Sequence, residues 1–498
     1  MPRNPNARRA VACALLLLLA AAASSATPDR EPAEEPHDVI IVGAGLAGLT
    51  AAFYLKNYDI VVLEKEGRPG GKAISYKIGD FSCAMGAEYI GKPTDEIGKI
   101  VRALKLTPVQ IPSPMDAAWQ DGEVYLGETG IASLYVRRAG VGEYNRFAST
   151  MQEFARQYKE IPRFDPDSEL AALDDISAKD WLDRMKFPEI FLQRCNIAAR
   201  GIFGANLGEI SALCALPEIA FDYEDARLIK ENEKLANETG RGKRATEAYT
   251  FKTGLTELTG ALAADLGDRL RLNAAVLSVR TADGRCEVTY RDAKAGERTI
   301  SARVVILAVP APAALKIAGE ELGMEQKELL AKIPYSSYAT VSFTSKTPIF
   351  DRAFDLAAPD GLFFTDIYDA TWVQRFCDPD AKNAAGCVTT VYIPPESYAD
   401  PKLMRMTDEE ILAAVRVDLE RVLPGAGEKI VASRVERFPY AFPVMTLGAH
   451  KRLMRLHAIT LGRLLLAGDY MVYPTFEGAA KSGYLAARKA IAALQKKH

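Results

Sequence analysis

The chain has 498 residues, a net charge of −3 and 48% hydrophobic residues, so it can bury large cores in two intertwined domains. A pI near 6.0 without a basic stripe excludes a nucleic-acid-binding protein. None of the four histidines stands in metal-ligand spacing, so we expect no metal site. A Ser–His–Asp hydrolase is disfavoured because the chain has no G-x-S-x-G motif.

Residues 1–26 have the pattern of an export signal that is removed from the mature protein. Arginines precede an apolar run at 10–23, and Ser24-Ser25-Ala26 is a suitable cleavage site. Arg8-Arg9 leaves a twin-arginine signal and a general secretory signal as alternatives. The apolar run of 14 residues is short for a membrane span. We therefore expect a soluble periplasmic or secreted protein without a transmembrane anchor. Residues 27–36 would form a linker between the signal and the folded part.

A glycine turn follows the first apolar run of the fold, residues 39–42. Gly43 permits the tight turn, Gly45 lets the backbone approach a pyrophosphate, and Gly48 lets the helix at 49–56 pack closely. A second apolar run ends in Glu64, 19 residues beyond Gly45, whose carboxylate can accept hydrogen bonds from ribose hydroxyls. This spacing predicts a dinucleotide-binding unit.

A second pair of glycine turns favours FAD over a nicotinamide cofactor. The sequence RPGGK at 68–72 follows Glu64 closely, and GAEYIG occupies 86–91. A cofactor whose ribityl chain and flavin extend beyond the pyrophosphate needs such further turns, whereas a nicotinamide dinucleotide does not. Lys72 would place positive charge near the phosphate or the ring. The alternative is an ordinary surface turn with a solvated lysine.

The C-terminal part contains another strand–turn–helix unit. Residues 464–467 read as a buried strand that ends at Gly468-Asp469. Asp469 could accept a hydrogen bond from a ribityl hydroxyl or lie near the pyrophosphate. Thr475 is the expected N-cap of a helix at 476–497, whose positive end would stabilise a reduced flavin. The alternative is an amphipathic closing helix with small residues for packing.

These motifs resemble those of the flavin-containing amine oxidase superfamily, which includes monoamine oxidases, protoporphyrinogen oxidases and carotenoid desaturases. The resemblance rests on GAGLAGL, RPGGK, GAEYIG and LAGDYMVYPTFEGAAKSGYLAA, and it covers nearly all of 37–495. It implies an α/β fold: a doubly wound, Rossmann-like FAD-binding domain at 37–91, 247–312 and 455–495. An interleaved α+β substrate-binding domain would comprise 92–246 and 313–454.

The resemblance and the motifs together assign the cofactor site but no catalytic residue. In this family the strand corresponding to 272–276 contacts the adenine through the backbone of its valine, here Val276. The predicted FAD-binding residues are Gly43, Ala44, Gly45, Gly48, Glu64, Lys65, Gly71, Lys72, Gly86, Ala87, Glu88, Val276, Gly468, Asp469, Phe476 and Glu477.

Two departures from the amine oxidase pattern leave the substrate open. Amine oxidases of this type usually carry a lysine that is water-bridged to flavin N5, and the aligned residue here is Thr340. Pro474-Thr475-Phe476 stands where their aromatic cage commonly has a tyrosine. The stretch 436–452 is similar to the protoporphyrinogen oxidase and desaturase branches. We therefore expect a dehydrogenase that passes electrons to a quinone or cytochrome, with dioxygen as the alternative acceptor.

The sequence predicts a FAD-dependent oxidoreductase that oxidises an organic small molecule by hydride transfer to flavin N5. A flavin-dependent isomerase or desaturase of a lipid or polyene is one alternative, and a catalytically idle flavin-binding protein is another. The inserts would set substrate specificity, with a solvated helix and loop at 223–244. Cys377 and Cys387 either form a disulfide in an oxidising compartment or remain free thiols.

Overall fold

The computed structural model describes residues 35–78, 81–158, 169–221, 248–282, 284–377, 386–459 and 462–495. The predicted signal peptide and nearly all of the predicted linker lie outside these residues, as does the predicted helix and loop at 223–244. Among the described residues, no helix is both long enough and apolar enough to cross a lipid bilayer.

The strands are numbered in chain order. They are β1 (His37–Val42), β2 (Ile60–Leu63), β3 (Ser75–Ile78), β4 (Phe81–Ala84), β5 (Val109–Gln110), β6 (Asp116–Gln120), β7 (Glu123–Leu126), β8 (Tyr249–Thr250), β9 (Leu270–Arg271), β10 (Ala274–Ala282), β11 (Arg285–Asp292), β12 (Gly296–Leu307), β13 (Tyr335–Ser345), β14 (Asp355–Ala357), β15 (Asp366–Asp369), β16 (Cys387–Ile393), β17 (Ile430–Pro443) and β18 (Leu464–Leu466).

The α-helices are numbered in the same way. They are α1 (Leu46–Tyr54), α2 (Glu96–Ala103), α3 (Gly127–Ala139), α4 (Val141–Gln157), α5 (Ala178–Met185), α6 (Glu189–Phe203), α7 (Ala212–Phe221), α8 (Thr256–Leu266), α9 (Ala311–Ala318), α10 (Met324–Ala331), α11 (Trp372–Cys377), α12 (Lys402–Arg405), α13 (Asp408–Val422), α14 (Ala426–Lys429), α15 (Ala449–Ala458) and α16 (Phe476–Gln495). Short 3₁₀ turns lie at Glu169–Asp175, Gly267–Arg269, Gly319–Glu321 and Asp469–Met471.

The first sheet confirms the predicted doubly wound α/β fold. Its parallel strands lie in the order β9-β2-β1-β12-β18, although they come from distant parts of the chain. Alternate residues of β1 face opposite sides: Val39 and Ile41 pack among α1, α8 and α16, whereas Ile40 and Val42 pack on the other side. Both faces are therefore buried, as the continuous apolar runs predict.

Strand β12 is longer than the predicted segment and serves two partners. Its first half pairs antiparallel with β11, and its second half, from Ala302, pairs parallel with β1. The antiparallel hairpin β10-β11 is thus joined to the parallel sheet through β12. Val276, whose backbone was predicted to contact the cofactor, lies on β10 at an irregularity in the register with β11.

A second sheet has the order β17-β13-β16-β15-β14-β6-β7. Helix α13 packs beneath it through Ile411, Val415 and Leu419. Thr407 caps this helix by accepting from the Glu410 amide, while Glu410 accepts from the Thr407 amide. The division of the chain into two domains at the expected boundaries stays a prediction, but the two sheets place their facing surfaces around one cavity.

A helical cluster comprising α3 to α7 adjoins the second sheet. Its core contains stacked rings, with Tyr135 and Phe191 separated by 4.7 Å and Phe147 and Phe191 by 4.5 Å between centroids. Helices α5 and α6 are separate because Lys186, the C-cap of α5, is left-handed and Pro188 is the N-cap of α6.

Candidate active site

A large cavity of about 2370 Å³ is lined by residues of both sheets. One end is lined by the glycine turn after β1 and by Val276 and Pro310. The middle is lined by Gly86, Lys72 and the start of α16, and the far end by β6, β14 and β15. Its volume and elongated lining suit a dinucleotide cofactor with room for a substrate beyond it.

The predicted glycine turns touch each other at the wall of this cavity. The Gly70 amide donates to the Ala44 carbonyl over 2.8 Å, and a Cβ added to Gly71 would lie 3.1 Å from the Gly45 Cα atom. A Cβ on Gly48 would lie 2.0 Å from the Gly43 carbonyl oxygen, so α1 can pack against β1 only with glycine there. These bare backbones leave a cradle that fits a pyrophosphate at the N-terminus of α1.

Glu64 lies at the carboxyl end of β2, as the spacing predicts. It is 8% exposed, and its carboxylate accepts from the Ala44 amide over 2.7 Å and from the Glu66 amide over 2.9 Å. These bonds hold the acid at the cavity wall, where a ribose hydroxyl could also donate to it. The residues present therefore fit FAD at this end.

Most of the other residues predicted to bind the cofactor also line the cavity. They are Gly43, Gly45, Lys65, Gly71, Lys72, Gly86, Ala87, Glu88, Val276, Gly468, Asp469, Phe476 and Glu477. Ala44 and Gly48 lie behind the cavity wall and support it from there.

Lys72 and Asp469 form an ion pair with each other across the middle of the cavity. Lys72 also donates to the Ala441 carbonyl on β17 over 2.6 Å. The lysine thereby links the RPGGK segment to the turn that follows β18 and to β17, which lie far apart in sequence. Asp469 also caps its own turn by accepting from the Tyr470 amide. The positive charge predicted at Lys72 is present, but the ion pair with Asp469 neutralises it.

Helix α16 begins as predicted. The Gly478 amide donates to Thr475 Oγ1 over 3.0 Å, which confirms the N-cap. Glu477 accepts from the Gly91 amide over 2.9 Å, and burial raises the pKa of its carboxyl. The helix N-terminus and the GAEYIG segment are thus joined by one side chain, and both face the cavity.

Thr340, aligned with the family lysine, is fully buried, and its hydroxyl donates to the Met85 carbonyl over 3.0 Å. Tyr392 on β16 is its direct cross-strand partner. Tyr473, which precedes α16, donates to the Cys214 carbonyl. Tyr338, Tyr368 and Tyr392 of the second sheet are among the aromatic residues that line the cavity.

The far end of the cavity carries acidic residues that sequence reasoning did not identify. Asp116 and Asp355 are paired residues on the parallel strands β6 and β14, and Asp366 begins the neighbouring β15. Burial raises the pKa values of Asp116 and Asp366 to about 6 and that of Asp355 further. Arg194 on α6 lies close enough to lower the pKa values of Asp355 and Asp366 in part.

Two further acids line the cavity with raised pKa values. Burial raises the pKa of Glu88 to about 8 and that of Glu218, on α7, to about 7. Glu88 was predicted to bind the cofactor, but its carboxylate contacts the Tyr392 hydroxyl of the second sheet. Asp116, Asp355 and Asp366 each begin a strand, and this is the hint that the sequence offers, because the strand pairing that gathers them is long-range.

The thiols of Cys377 and Cys387 are both free, the first exposed and the second buried. The loop that joins them lies at 378–385, outside the described residues. Of the two alternatives, a disulfide or two free thiols, the structure contains the free thiols.

The chain matches the family model described as "Flavin containing amine oxidoreductase" over residues 46–491. Among curated proteins it is 25% identical over 281 residues to the candidate flavin-containing monoamine oxidase AofH of Mycobacterium tuberculosis. That match covers 55% of this chain and 57% of the mycobacterial protein. It is also 24% identical to the coproporphyrinogen III oxidase of Staphylococcus aureus, over 92% of this chain and 99% of that protein.

The structure is similar in fold to cyclohexylamine oxidase from Brevibacterium oxydans, with a TM-score of 0.71 and 18% identity. The alignment covers 93% of this chain and all of that one. Since the family model spans most of the sequence, and the glycine cradle and Glu64 fit the cofactor, the chain belongs to the flavin-containing amine oxidoreductase family and is a FAD-dependent oxidoreductase.

Proposed function

We propose that the protein oxidises a cationic amine substrate by hydride transfer to FAD. The observation that carries this proposal is the acidic far end of the cavity, with Asp116, Asp355 and Asp366 on adjacent strands. When bound, FAD supplies a hydride acceptor at its N5 atom. The residues of the chain bind the substrate, orient it and exclude water.

Charge balance supports an amine over the other substrates considered. Asp355 Oδ1 and Arg194 Nη1 are both buried without a hydrogen-bond partner, so the Arg194 guanidinium does not satisfy the Asp355 carboxylate. A substrate ammonium group can donate three hydrogen bonds and would restore the charged form of these acids. The carboxylate of a fatty acid or a porphyrinogen would instead meet like charge.

The three tyrosines complete a site for an organic cation. Tyr392 lies between Tyr338 and Tyr368, with ring centroids 6.1 and 4.9 Å away, and all three line the cavity beside the aspartates. Aromatic faces attract cations and exclude water from the reacting carbon. An isomerase or desaturase acting on a lipid or polyene would need apolar walls at this end of the cavity. We therefore favour it less than the oxidation of an amine.

We further propose that the reduced enzyme passes its electrons to a quinone or cytochrome outside the cytoplasm. The support is Thr340 at the position of the family lysine, with its hydroxyl held by the Met85 carbonyl. Export rests on the sequence of residues 1–26 alone. Assays of hydrogen peroxide and of dye reduction, run in parallel, test the acceptor, and strong peroxide production would contradict the proposal.

The substrate is tested by anaerobic bleaching of the purified yellow protein with amines, amino acids, porphyrinogens and unsaturated fatty acids. We expect bleaching by amines. In Asp355→Asn we expect the amine to bind about 10- to 100-fold more weakly with the flavin spectrum unchanged, since a charged hydrogen bond is lost. Asp268→Asn, an exposed acid away from the cavity, is the matched control. Bleaching by fatty acids alone would overturn the assignment, and no bleaching by any compound would favour an idle flavin-binding protein.

A further inference from the structure

Glu88, on the cofactor side of the cavity, contacts Tyr392, which belongs to the substrate side. The Tyr392 hydroxyl oxygen lies 2.7 Å from the Gly86 carbonyl oxygen and 2.5 Å from Glu88 Oε1. Both are hydrogen-bond distances. The Glu88 backbone is fixed separately, because Thr250 Oγ1 donates to its carbonyl over 2.9 Å. Glu88 is thus held in place both at its carboxyl group and at its backbone.

Counting protons at these contacts assigns one to Glu88. A phenol has one proton to donate, and a backbone carbonyl can only accept. If Tyr392 donates to the Gly86 carbonyl, its short contact with Glu88 requires a proton on the carboxyl group. In this arrangement Glu88 is a neutral acid that donates to the Tyr392 oxygen.

The surroundings of Glu88 favour this neutral form. The carboxyl group is deep in the protein but faces the cavity, and burial raises its pKa to about 8 against the opposing effect of the Tyr392 hydroxyl. Cys83 of β4 also lies near it, and burial followed by the ionised form of Glu88 raises the pKa of that thiol. Around Tyr392 lie Tyr338 and Asp355. Among the residues that the structure describes, the only effect opposing burial at Glu88 is the hydrogen bond from Tyr392.

The position of this pair relates it to the reacting end of the cavity. Tyr392 is the cross-strand partner of Thr340, the residue aligned with the lysine that lies near flavin N5 in the family. Gly86 and Ala87, which precede Glu88, line the same cavity. A proton-exchanging carboxyl group therefore stands between the cofactor segments and the cation-binding end.

We propose that Glu88 takes the proton from the ammonium form of the substrate, with Tyr392 positioning its carboxylate. An ammonium nitrogen has no free electron pair, so it must lose a proton before the adjacent carbon can yield a hydride. In this step an N–H bond of the ammonium breaks, an O–H bond forms on Glu88, and the nitrogen keeps the electron pair. Before this step, Glu88 must lose the proton that it carries in the empty enzyme. The positive charge of the entering substrate favours that loss, and the proton goes to solvent. The inference rests on the proposed amine substrate.

A first experiment needs no substrate. Infrared difference spectra of the FAD-loaded protein, taken while the pH is raised from 6 to 9, should show loss of one carboxylic-acid band near pH 8 that Glu88→Gln lacks. Glu287→Gln, an exposed acid on β11, should keep the band. A band that persists in Glu88→Gln, or its absence from the wild type, would overturn the assignment of the proton.

A second experiment compares two amines in wild type and Glu88→Gln. For a strongly basic amine, the wild-type kcat/KM should rise about tenfold per pH unit up to pH 8, and the variant should lose this limb and be about 100-fold slower. A weakly basic amine, which arrives already neutral, should be oxidised at similar rates by both. When Glu88 ionises, the Tyr392 hydroxyl can turn from Gly86 and donate to the carboxylate, which lowers the Glu88 pKa. Tyr392→Phe should therefore shift the profile to higher pH.

The outcomes separate this inference from the proposed function. Equal losses with both amines, or an unchanged pH profile in Glu88→Gln, would exclude Glu88 as the proton acceptor while the amine assignment stands. If the wild type oxidises no amine, the proposed function fails instead, and the infrared result still decides the protonation of Glu88. If Glu88→Gln does not retain FAD, the pH shift in Tyr392→Phe alone decides the question.

Discussion

Glu64 shows how one carboxylate can serve both the fold and the cofactor. Its two backbone hydrogen bonds, from Ala44 and Glu66, orient the glycine turn that receives the pyrophosphate. We expect Glu64→Gln to bind FAD about 10- to 100-fold more weakly, because hydrogen bonds to a charged acceptor are worth roughly 1.5–3 kcal/mol. Flavin fluorescence during titration of the FAD-free protein measures the affinity.

Glu66→Gln is the control for this substitution. The exposed Glu66 carboxylate pairs with Lys65 at the cavity, but only the Glu66 amide bonds to Glu64, so this variant should lose far less FAD affinity than Glu64→Gln. If both variants bind FAD like the wild type, Glu64 does not contribute to the cofactor site.

Local spacing was enough to predict Glu64, because a strand, a turn and a helix place it within one supersecondary unit. The same reasoning could not find Asp116 and Asp355. They become neighbours only when two parallel strands pair across more than two hundred residues. Nor could it foresee that Lys72 and Asp469 neutralise each other, since each was assigned a cofactor contact from its own motif.

The packing of α16 on α1 requires glycine at the crossing. A Cβ on Gly483 would lie 2.2 Å from the Ala47 carbonyl oxygen and 3.0 Å from Thr50 Cβ, both on α1. We expect Gly483→Ala to push the two helices apart and to lower the free energy of unfolding by about 1–3 kcal/mol. Because both helices line or support the cofactor cavity, FAD release on heating should begin earlier.

Gly260→Ala on α8 is the matched substitution, since Gly260 is exposed and nothing lies within 4 Å of the added methyl group. Alanine there should stabilise the helix by about 0.5–1 kcal/mol. Urea denaturation of both variants gives the two free energies. Similar values for both would show that the helix crossing tolerates a side chain.

Most elements of the first sheet were predictable because their apolar runs are buried on both faces. Strand β2 has the predicted bounds, and β18 is one residue shorter than expected. The break between α5 and α6 is marked in the sequence by Pro188, the N-cap of α6. The order of the second sheet follows from contacts between distant strands, which no local pattern encodes.

The buried acids of the cavity make the stability of the folded protein depend on pH. The pKa values of Glu218 and Glu88 are raised to about 7 and about 8, whereas both are near 4 in an unfolded chain. Between pH 6.5 and 8 the folded state therefore holds protons that the unfolded state has lost, and stability falls as the pH rises. Burial lowers the pKa values of His450 and His457, which makes stability rise with pH. This opposing contribution ends near pH 6.5, where the histidines of the unfolded chain lose their protons as well.

We accordingly expect the melting temperature of the FAD-loaded protein to fall by roughly a few degrees from pH 6.5 to 8. Glu218→Gln should reduce this fall, since the amide cannot ionise. A bound cationic amine should reduce it as well, because the cation stabilises the ionised acids that the empty cavity penalises. Differential scanning calorimetry at both pH values, with and without amine under anaerobic conditions, measures these effects. A melting temperature that rises over this range would mean that the cavity acids are already ionised in the folded protein.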